Sequence, residues 1–427
     1  MSKYKDTIYA LSTPTGKSAI AIIRVSGKDS LKVLKKISSI KTIIPNKTKL
    51  IFLKFQKSII DKVIITYFKG PNSFTGEEMF EINSHGSPAI ISKISEVLEF
   101  LGLRLAEPGE FTRRSLMNDK LDLVQTEGLS DLINAETEKQ RSLAISSLSG
   151  ELGSFIEYIN KELSLIIANT EALIDFSDED LPKNIFNKTL EQNKNIINRI
   201  ETEIINSKIS KPIRDGFVVS VIGKPNTGKS SFINFISKKN ISIVTSLPGT
   251  TTDSIASIID IDGYKFTFFD TAGLRKHRNK IEEIGIKKTK EIITKSNLIL
   301  IFLEKKEVNK YKEINNKIFV KSKLDKRRVK TTEKNILNIS SVTGEGVKAL
   351  LRKTKQKLIK SQKNEPILSR ERHINIMKKV LFELKSIKPK ESLDIHAFKY
   401  REALRLSLEI NQRFDIENIL DIIFKDF

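Results

Sequence analysis

Over residues 1 to about 119, apolar positions come in short runs separated by turn residues. Residues 19–25 (AIAIIRV) read as a strand, and residues 30–37 (SLKVLKKI) carry apolar side chains three and four apart, the spacing of a helix. Residues 50–53 and 62–68 read as further strands, residues 71–76 (PNSFTG) as a turn-rich loop, and residues 78–82 as another strand. Ser84, His85, Gly86, Ser87 and Pro88 then open a helix that runs to about residue 101. This alternation predicts an α/β domain. From residue 120 to about 212, Gly and Pro are scarce and the period becomes that of long helices. The predicted helices cover 122–136, 138–149, 152–174 and, after the break DFSDEDLP at 175–182, about 190–207. Strand–helix alternation returns over 213 to about 360, and from about 370 to 424 the pattern is helical again. Two helical blocks thus flank an α/β segment. A terminal helix pair on its own would leave an apolar face uncovered, so the economical arrangement is an insertion between the halves of one helical domain. The predicted class is α/β plus all-α, with segments 1–119, 120–212, 213–360 and 361–427.

A chain of 427 residues holds about three domains at roughly 150 residues each, and 39% hydrophobic content is enough for sizeable cores. There is no Cys, which excludes disulfides, thiolate zinc sites and thiol nucleophiles from within the chain. With 4 His, a His-based metal site is not expected. The sequence begins without the apolar core of a signal peptide, and no run approaches the ~20 apolar residues of a membrane span. A soluble, cytoplasmic protein without membrane attachment is expected. The net charge of +22 fits a polyanionic partner such as RNA. It fits equally a Lys-, Ile- and Asn-rich composition, since the lysines are spread and only residues 321–330 (KSKLDKRRVK) form a local cluster.

Chemistry enters at Gly223-Lys224-Pro225-Asn226-Thr227-Gly228-Lys229-Ser230, which matches G-x-x-x-x-G-K-[ST]. The apolar run 216–222 precedes it as a buried strand, and Ser231 and the residues after it can start a helix. A phosphate chain would then rest on backbone N–H groups at a helix N-terminus. Lys229 would reach the β and γ phosphates and the Ser230 hydroxyl would ligate magnesium. Downstream, Asp262-Gly263 between alternating runs predicts a hairpin whose second strand ends in Asp270-Thr271-Ala272-Gly273. There Asp270 can hold a magnesium-bound water and the Gly273 N–H can meet the γ-phosphate. Between these motifs lies Gly249-Thr250-Thr251-Thr252-Asp253, of which a Thr can join the magnesium shell only when the γ-phosphate is present, with Thr245, Ser246, Leu247 and Pro248 before it as further GTP-binding candidates. Ser322-Lys323-Leu324-Asp325 supplies a carboxylate for the guanine edge, and Ser340-Ser341-Val342 would offer backbone N–H groups to the guanine carbonyl. In this order the set resembles TRAFAC-class translational GTPases. Leu274 stands where Ras-like enzymes keep a water-orienting Gln, so another carboxylate and another cation are needed; Glu282 and Glu283 are the candidates for the carboxylate.

Further blocks carry a closer resemblance: Asp6-Thr7-Ile8, Thr13-Pro14, Arg24-Val25-Ser26-Gly27, Pro71-Asn72-Ser73-Phe74-Thr75-Gly76-Glu77, Pro108-Gly109-Glu110-Phe111-Thr112, Asn118-Asp119-Lys120-Leu121-Asp122-Leu123 and Asp175-Phe176. With them the chain resembles, nearly end to end, the MnmE (TrmE) family of tRNA-modifying GTPases. The resemblance implies an N-terminal folate-binding domain, a helical domain in two segments, an inserted GTPase domain and a homodimer formed through the N-terminal domain. It implies a heterotetramer with the flavoprotein MnmG that installs aminomethyl or carboxymethylaminomethyl groups at carbon five of a tRNA wobble uridine. The one-carbon donor would be 5,10-methylenetetrahydrofolate or the 5-formyl form. Arg24, Glu81 and Lys120 fall on folate-contacting positions, Arg and Lys suiting the glutamate tail and Glu the pterin N–H edge. Asn226, with Thr245, Leu247 and Thr250, falls on the potassium site; Ser230 and Thr251 fall on the magnesium site; Glu282 falls on the water-activating position.

Three departures set expectations. Ser322 replaces the family's Asn, and its shorter side chain is expected to bridge less far and weaken nucleotide binding, so that Asn at this position would tighten it. Residues 305–317 are short and polar where the family has a fuller helix. The family ends in Phe-Cys-Ile-Gly-Lys, whereas this sequence ends at Phe427; wobble-uridine modification is still expected, and if a thiol were the obligatory nucleophile the flavoprotein would have to supply it. Two other readings compete: an Era-like RNA-binding switch GTPase in ribosome assembly, which would lack residues 1–119, and a stand-alone aminomethyl-transfer module, against which the phosphate loop argues.

Overall fold

The computed structural model describes residues 6–38, 40, 42–176, 184–238, 256–270, 294–303, 308–311, 313–326, 335–359 and 365–410. These form two compact units, 6–127 and 128–410. The first continues past residue 119 because the division falls inside a helix, α4 below. At Gly128 that helix comes so close to the next that an added Cβ would lie 2.8 Å from the Leu148 amide nitrogen.

In the first unit the strands are β1 (Ile8–Leu11), β2 (Ser18–Ser26), β3 (Thr48–Phe55), β4 (Ser58–Phe68), β5 (Met79–Gly86) and β6 (Arg104–Leu105). They order as β3-β4-β5-β2-β1-β6, antiparallel except for the β1–β6 pair. Strand alternation sends Ile23, Val25, Val63, Ile65, Phe80 and Ile82 to one face, where helices α1 (Ser30–Ile37) and α2 (Pro88–Phe100) cover them with Val33, Leu34, Ile37, Ile94, Val97 and Leu98. The side chains between them, Arg24 and Glu81 among them, point to the other face. Helix α3 (Glu110–Met117) follows β6. The helix expected to open at Ser84 does not: Ser84, His85 and Gly86 prolong β5, and α2 begins at Pro88, whose fixed φ suits a first helical position.

In the second unit the helices are α4 (Leu123–Ile133, which starts in the first unit), α5 (Glu138–Leu148), α6 (Glu151–Asp175), α7 (Ile185–Asn206) and α8 (Ser210–Asp215). After the sheet come α11 (Glu371–Ser386) and α12 (Leu393–Leu408). A capping box of Thr137 and Gln140 starts α5. Helix α6 packs on α12 and α7 on α11, so both sequence blocks share one bundle. Ser210 Oγ donates to Leu368 O at 2.7 Å and Arg214 Nη1 to Ser369 O at 3.3 Å, so the chain leaves the bundle and re-enters it at one place.

Between exit and re-entry lies a sheet of order β12-β11-β10-β7-β9-β8. Its strands are β7 (Phe217–Gly223), β8 (Ala256–Ile261), β9 (Tyr264–Asp270), β10 (Leu298–Phe302), β11 (Lys317–Lys321) and β12 (Ile336–Asn338); only β8 runs antiparallel. Helices α9 (Lys229–Lys238) and α10 (Val347–Leu358) close its core through Phe232, Ile233, Ile236, Leu350 and Leu351. The turn between β8 and β9 rests on the bundle: Lys139 N donates to Gly263 O at 3.1 Å, and Lys265 pairs with Glu136.

Candidate functional site

Parallel strands put their carboxyl ends on one edge, where doubly wound sheets bind ligands. Here that edge carries Gly223 at the end of β7, Asp270 at the end of β9 and Ser322 after β11. The loop after β7 needs its two glycines. Gly223 has φ +151°, and an added Cβ would lie 2.4 Å from Phe302 O; Gly228 has φ +93°, and a Cβ there would lie 2.3 Å from Ser322 Oγ. Asn226 also sits at positive φ, +61°. The Thr227 hydroxyl donates to Lys224 O at 2.8 Å and closes the turn. The Lys229 ammonium lies inside the loop, donating to Gly223 O at 2.9 Å and Lys224 O at 2.7 Å. Ser230 Oγ donates to Asp270 Oδ2 at 2.7 Å, and Ser231 follows it on the exposed first turn of α9. A hydroxyl and a carboxylate side by side are the hard oxygen donors that Mg²⁺ takes.

The guanine-type motif meets the same loop. Lys323, at φ +63°, donates from Nζ to Asn226 O at 2.6 Å. Asp325 Oδ1 accepts from Ser340 Oγ at 2.6 Å, and this hydrogen bond holds its carboxyl below the ordinary aspartate value. Ser340 Oγ in turn accepts from the Val342 and Thr343 amides, at 3.2 Å each. Here the structure corrects two expectations. Ser340 does not offer its N–H to a base, because that group donates to Glu345 O at 2.9 Å; it is the hydroxyl that acts, by orienting Asp325. Nor does Ser322 fall short: its side chain is buried and donates to Thr227 O, so the bridge from base loop to phosphate loop is made. Ser reaches because Gly228 presents no side chain there.

Thr245, Ser246, Leu247, Pro248, Gly249, Thr250, Thr251, Thr271, Ala272, Gly273 and Glu282 lie outside the described residues, as do Leu274 and Glu283.

In the first unit, register sets Arg24 directly opposite Glu81. The guanidinium donates to Glu81 Oε1 through Nε at 2.9 Å and Nη2 at 2.8 Å, and it lies 5.0 Å from the Phe74 ring and 5.6 Å from the Phe111 ring. Lys120 packs beside Gly76, where a Cβ would stand 3.3 Å from Lys120 Cε. All three expected ligand residues thus belong to the surroundings of one loop, 73–77. Arg24 and Glu81 are thus joined to each other beside that loop.

Residues that sequence reasoning passed over hold this loop. Arg114 is fully buried, with Nη2 donating to Glu110 Oε1 at 2.8 Å and Nη1 to Glu77 Oε2 at 3.1 Å. Ser26 Oγ donates to Glu77 at 2.7 Å, Ser115 Oγ to Phe74 O at 2.7 Å, and Asn118 Nδ2 to Thr75 O at 2.7 Å. Burial tends to raise the Glu110 pKa, but hydrogen bonds from Arg104, the Glu107 amide and Arg114 outweigh it and hold the group below the usual glutamate value. Phe74, Glu77, Glu110 and Phe111 all lie within blocks conspicuous in the sequence; what marks Arg114 is only its place one helical turn after Glu110.

Two family models match. That of the GTP-binding protein TrmE N-terminus covers residues 7–120, and that of the MnmE helical domain covers residues 123–427. The chain belongs to the MnmE family. MnmE proteins of Dinoroseobacter shibae and Pelagibacter ubique, each named tRNA modification GTPase, are 35% identical over 431 residues and 36% over 448, with 99% of both chains covered in each case. The MnmE of Thermotoga petrophila, with the same name, is 32% identical over 459 residues, again with 99% of both chains covered. Among solved structures, the G domain of the Thermotoga maritima FeoB iron transporter is 19% identical with a TM-score of 0.26, covering 33% of this chain and 98% of that one, too slight a likeness to bear on function. No helix among the described residues is long and apolar enough to cross a membrane.

Proposed function

We infer that this member of the MnmE family hydrolyses GTP to GDP and phosphate and couples the cycle to tRNA modification. The observation that carries the reading is the meeting at one sheet edge of the phosphate loop, the Ser230–Asp270 pair and the Asp325–Ser340 pair. In GTP binding, Lys229 leaves the loop carbonyls for the β and γ phosphates, an exchange that keeps its hydrogen bonds satisfied. Ser230, with Asp270 behind it and Thr251, would hold Mg²⁺, which neutralises phosphate charge. Asp325 accepts two N–H groups of guanine and rejects adenine, which lacks that donor pair. Asn226, Thr245, Leu247 and Thr250 would hold K⁺, which supplies the positive charge that an arginine finger supplies elsewhere. Glu282 positions and deprotonates the attacking water, a role that Leu274 leaves open.

The modification is addition of a carboxymethylaminomethyl or aminomethyl group to carbon five of a wobble uridine, with MnmG as flavoprotein partner and a tetrahydrofolate donor. The Arg24–Glu81 pair, the Phe74 and Phe111 rings and Lys120 support a folate site: the rings flank a planar pterin and Glu81 accepts from its N–H edge. The exposed Leu50, Phe52 and Ile64 on β3 and β4 support self-association of the N-terminal unit. The decisive test is reconstitution with MnmG, tRNA, GTP, K⁺ and methylenetetrahydrofolate, followed by nucleoside mass spectrometry. Modified uridine is expected. GTP turnover without any new nucleoside would confine the function to the nucleotide cycle.

A further inference from the structure

Helices α11 and α12 bury Met377, Val380, Leu384, Ala397, Tyr400 and Ala403 against the bundle, yet each also carries an exposed aromatic ring. Phe382 is 71% exposed and Phe398 is 67% exposed. A large apolar side chain of a stable helix usually faces the core, and these two do not. Phe382 lines a cleft of about 390 Å³ between the helices, together with Lys378, Lys379, Glu383, Glu402 and Leu406. Phe398 stands one turn before Glu402 on α12.

The polar groups of the cleft sort into engaged and unengaged. Glu402 is bonded to Arg405 at 2.6 Å. Lys378, Lys379 and the Glu383 carboxylate make no ion pair or side-chain hydrogen bond among the described residues. On the turns to either side, by contrast, Glu371 pairs with Lys211 and Lys385 with Glu201.

We propose that this cleft is an RNA contact, in which Phe382 stacks on an unpaired base of the substrate tRNA, the Glu383 carboxylate accepts from that base's amino or imino N–H, and Lys378 and Lys379 hold the flanking phosphates. Three features select this occupant. The cleft volume suits one small planar group rather than a helix or a strand. The two ammonium groups, which have no partner among the described residues, fit a polyanion, as does the net charge of +22. An exposed ring beside a carboxylate unpaired among the described residues is the pair that reads a splayed base, by stacking and by hydrogen bonding to its edge. The base is unpaired because a helical RNA major groove is too narrow to admit these side chains.

The inference rests on the tRNA reading above, and the experiment separates the two. The full chain binds fluorescent tRNA, followed by anisotropy across a KCl titration. Phe382→Ala is expected to weaken binding on the order of tenfold, and Phe382→Trp to restore it, whereas Phe382→Leu does not. The pair Lys378→Ala and Lys379→Ala is expected to lower the slope of log K against log salt by about 1.4, two phosphate contacts at about 0.7 each. All four side chains are at the surface of the bundle, so GTP hydrolysis without tRNA stays at the parent rate and reports that the variants are folded. Affinity within twofold of the parent and an unchanged slope would overturn the proposal while leaving the tRNA reading intact. Loss of MnmG binding at unchanged tRNA affinity would overturn it in favour of a protein contact. A parent chain that binds no tRNA would overturn both.

Discussion

Removing the Ser322 hydroxyl tests how the two halves of the nucleotide site are joined. Ser322 is 3% exposed and donates to Thr227 O, the carbonyl immediately before Gly228. In Ser322→Ala that carbonyl loses its partner in a place water reaches poorly, at a cost of about 1–2 kcal/mol within the range for an orphaned buried acceptor. The base loop and phosphate loop must both be in position to hold one nucleotide, so the cost falls on binding of GTP and GDP alike. The expected result is a rise of about five- to thirtyfold in both dissociation constants, measured with fluorescent GTP and GDP analogues by stopped flow and carried mainly by faster release. Turnover at saturating GTP should change little, because no group near the γ-phosphate is touched. The structure also fixes the sign for Ser322→Asn. The bridge already exists and Ser322 Oγ already stands where a Cβ on Gly228 would come within 2.3 Å, so the longer side chain gains no bond and must displace the loop. Parent-like affinity in Ser322→Ala, or an Asn variant that binds ten times more tightly, would refute the latch.

Other outcomes follow from the same structure. Arg114→Met leaves the buried Glu77 carboxylate without its arginine and Glu110 with Arg104 alone, and should destabilise the first unit by about 3–5 kcal/mol; hydrogen exchange of β2 and β5 amides measures it, and unchanged protection would count against the network. Glu110 has a folded-state pKa below its unfolded value, so its contribution is complete above the ordinary glutamate pKa and is lost as pH falls through the lower folded value. Glu110→Gln should therefore flatten the acid limb of the unit's stability curve, and a limb as steep as the parent's would show that other groups set it. For the proposed hydrolysis, Glu282→Ala should cut turnover by roughly 10²–10⁴-fold with GTP affinity nearly unchanged, and Na⁺ in place of K⁺ should slow it strongly; equal rates in the two salts would remove the potassium site.

How much of this was legible in the sequence depends on the range of the interaction. The hairpin at Asp262-Gly263 and the strand–loop–helix around Gly223 are written in local turn chemistry, and both stand where expected. Strand β10, Leu298–Phe302, is not marked in the sequence, since an apolar run buried on both faces has no period to read and, unlike 216–222, leads into no recognisable motif. The helix predicted from Ser84 was displaced because Gly86 pairs with Ser18 across the sheet, a contact no local pattern contains. At the site, residue identities were readable and pairings were not. Arg24 and Glu81 are 57 positions apart and become partners only through strand register. The Ser322 bridge was misjudged for a similar reason: side-chain length was visible, but the absence of a side chain at Gly228 in the facing loop gave the distance to be spanned.

The single doorway by which the chain leaves and re-enters the bundle bears on how a ribosome makes this protein. Helix α6 emerges early with Leu152, Phe155, Ile156, Ile159, Leu163 and Ile166 along its inner side. Its main partner, α12, begins only at Leu393, after the whole inserted sheet has been synthesised. The sheet's own strands and helices all lie between Phe217 and Leu358, so it can be completed on the ribosome while the bundle still waits. Until then, among the described elements, α6 packs chiefly on α5 and α7, and the apolar side that α12 later covers is exposed to the nascent chain and to chaperones. The nucleotide-binding part is therefore completed before the bundle that surrounds its doorway, which closes last.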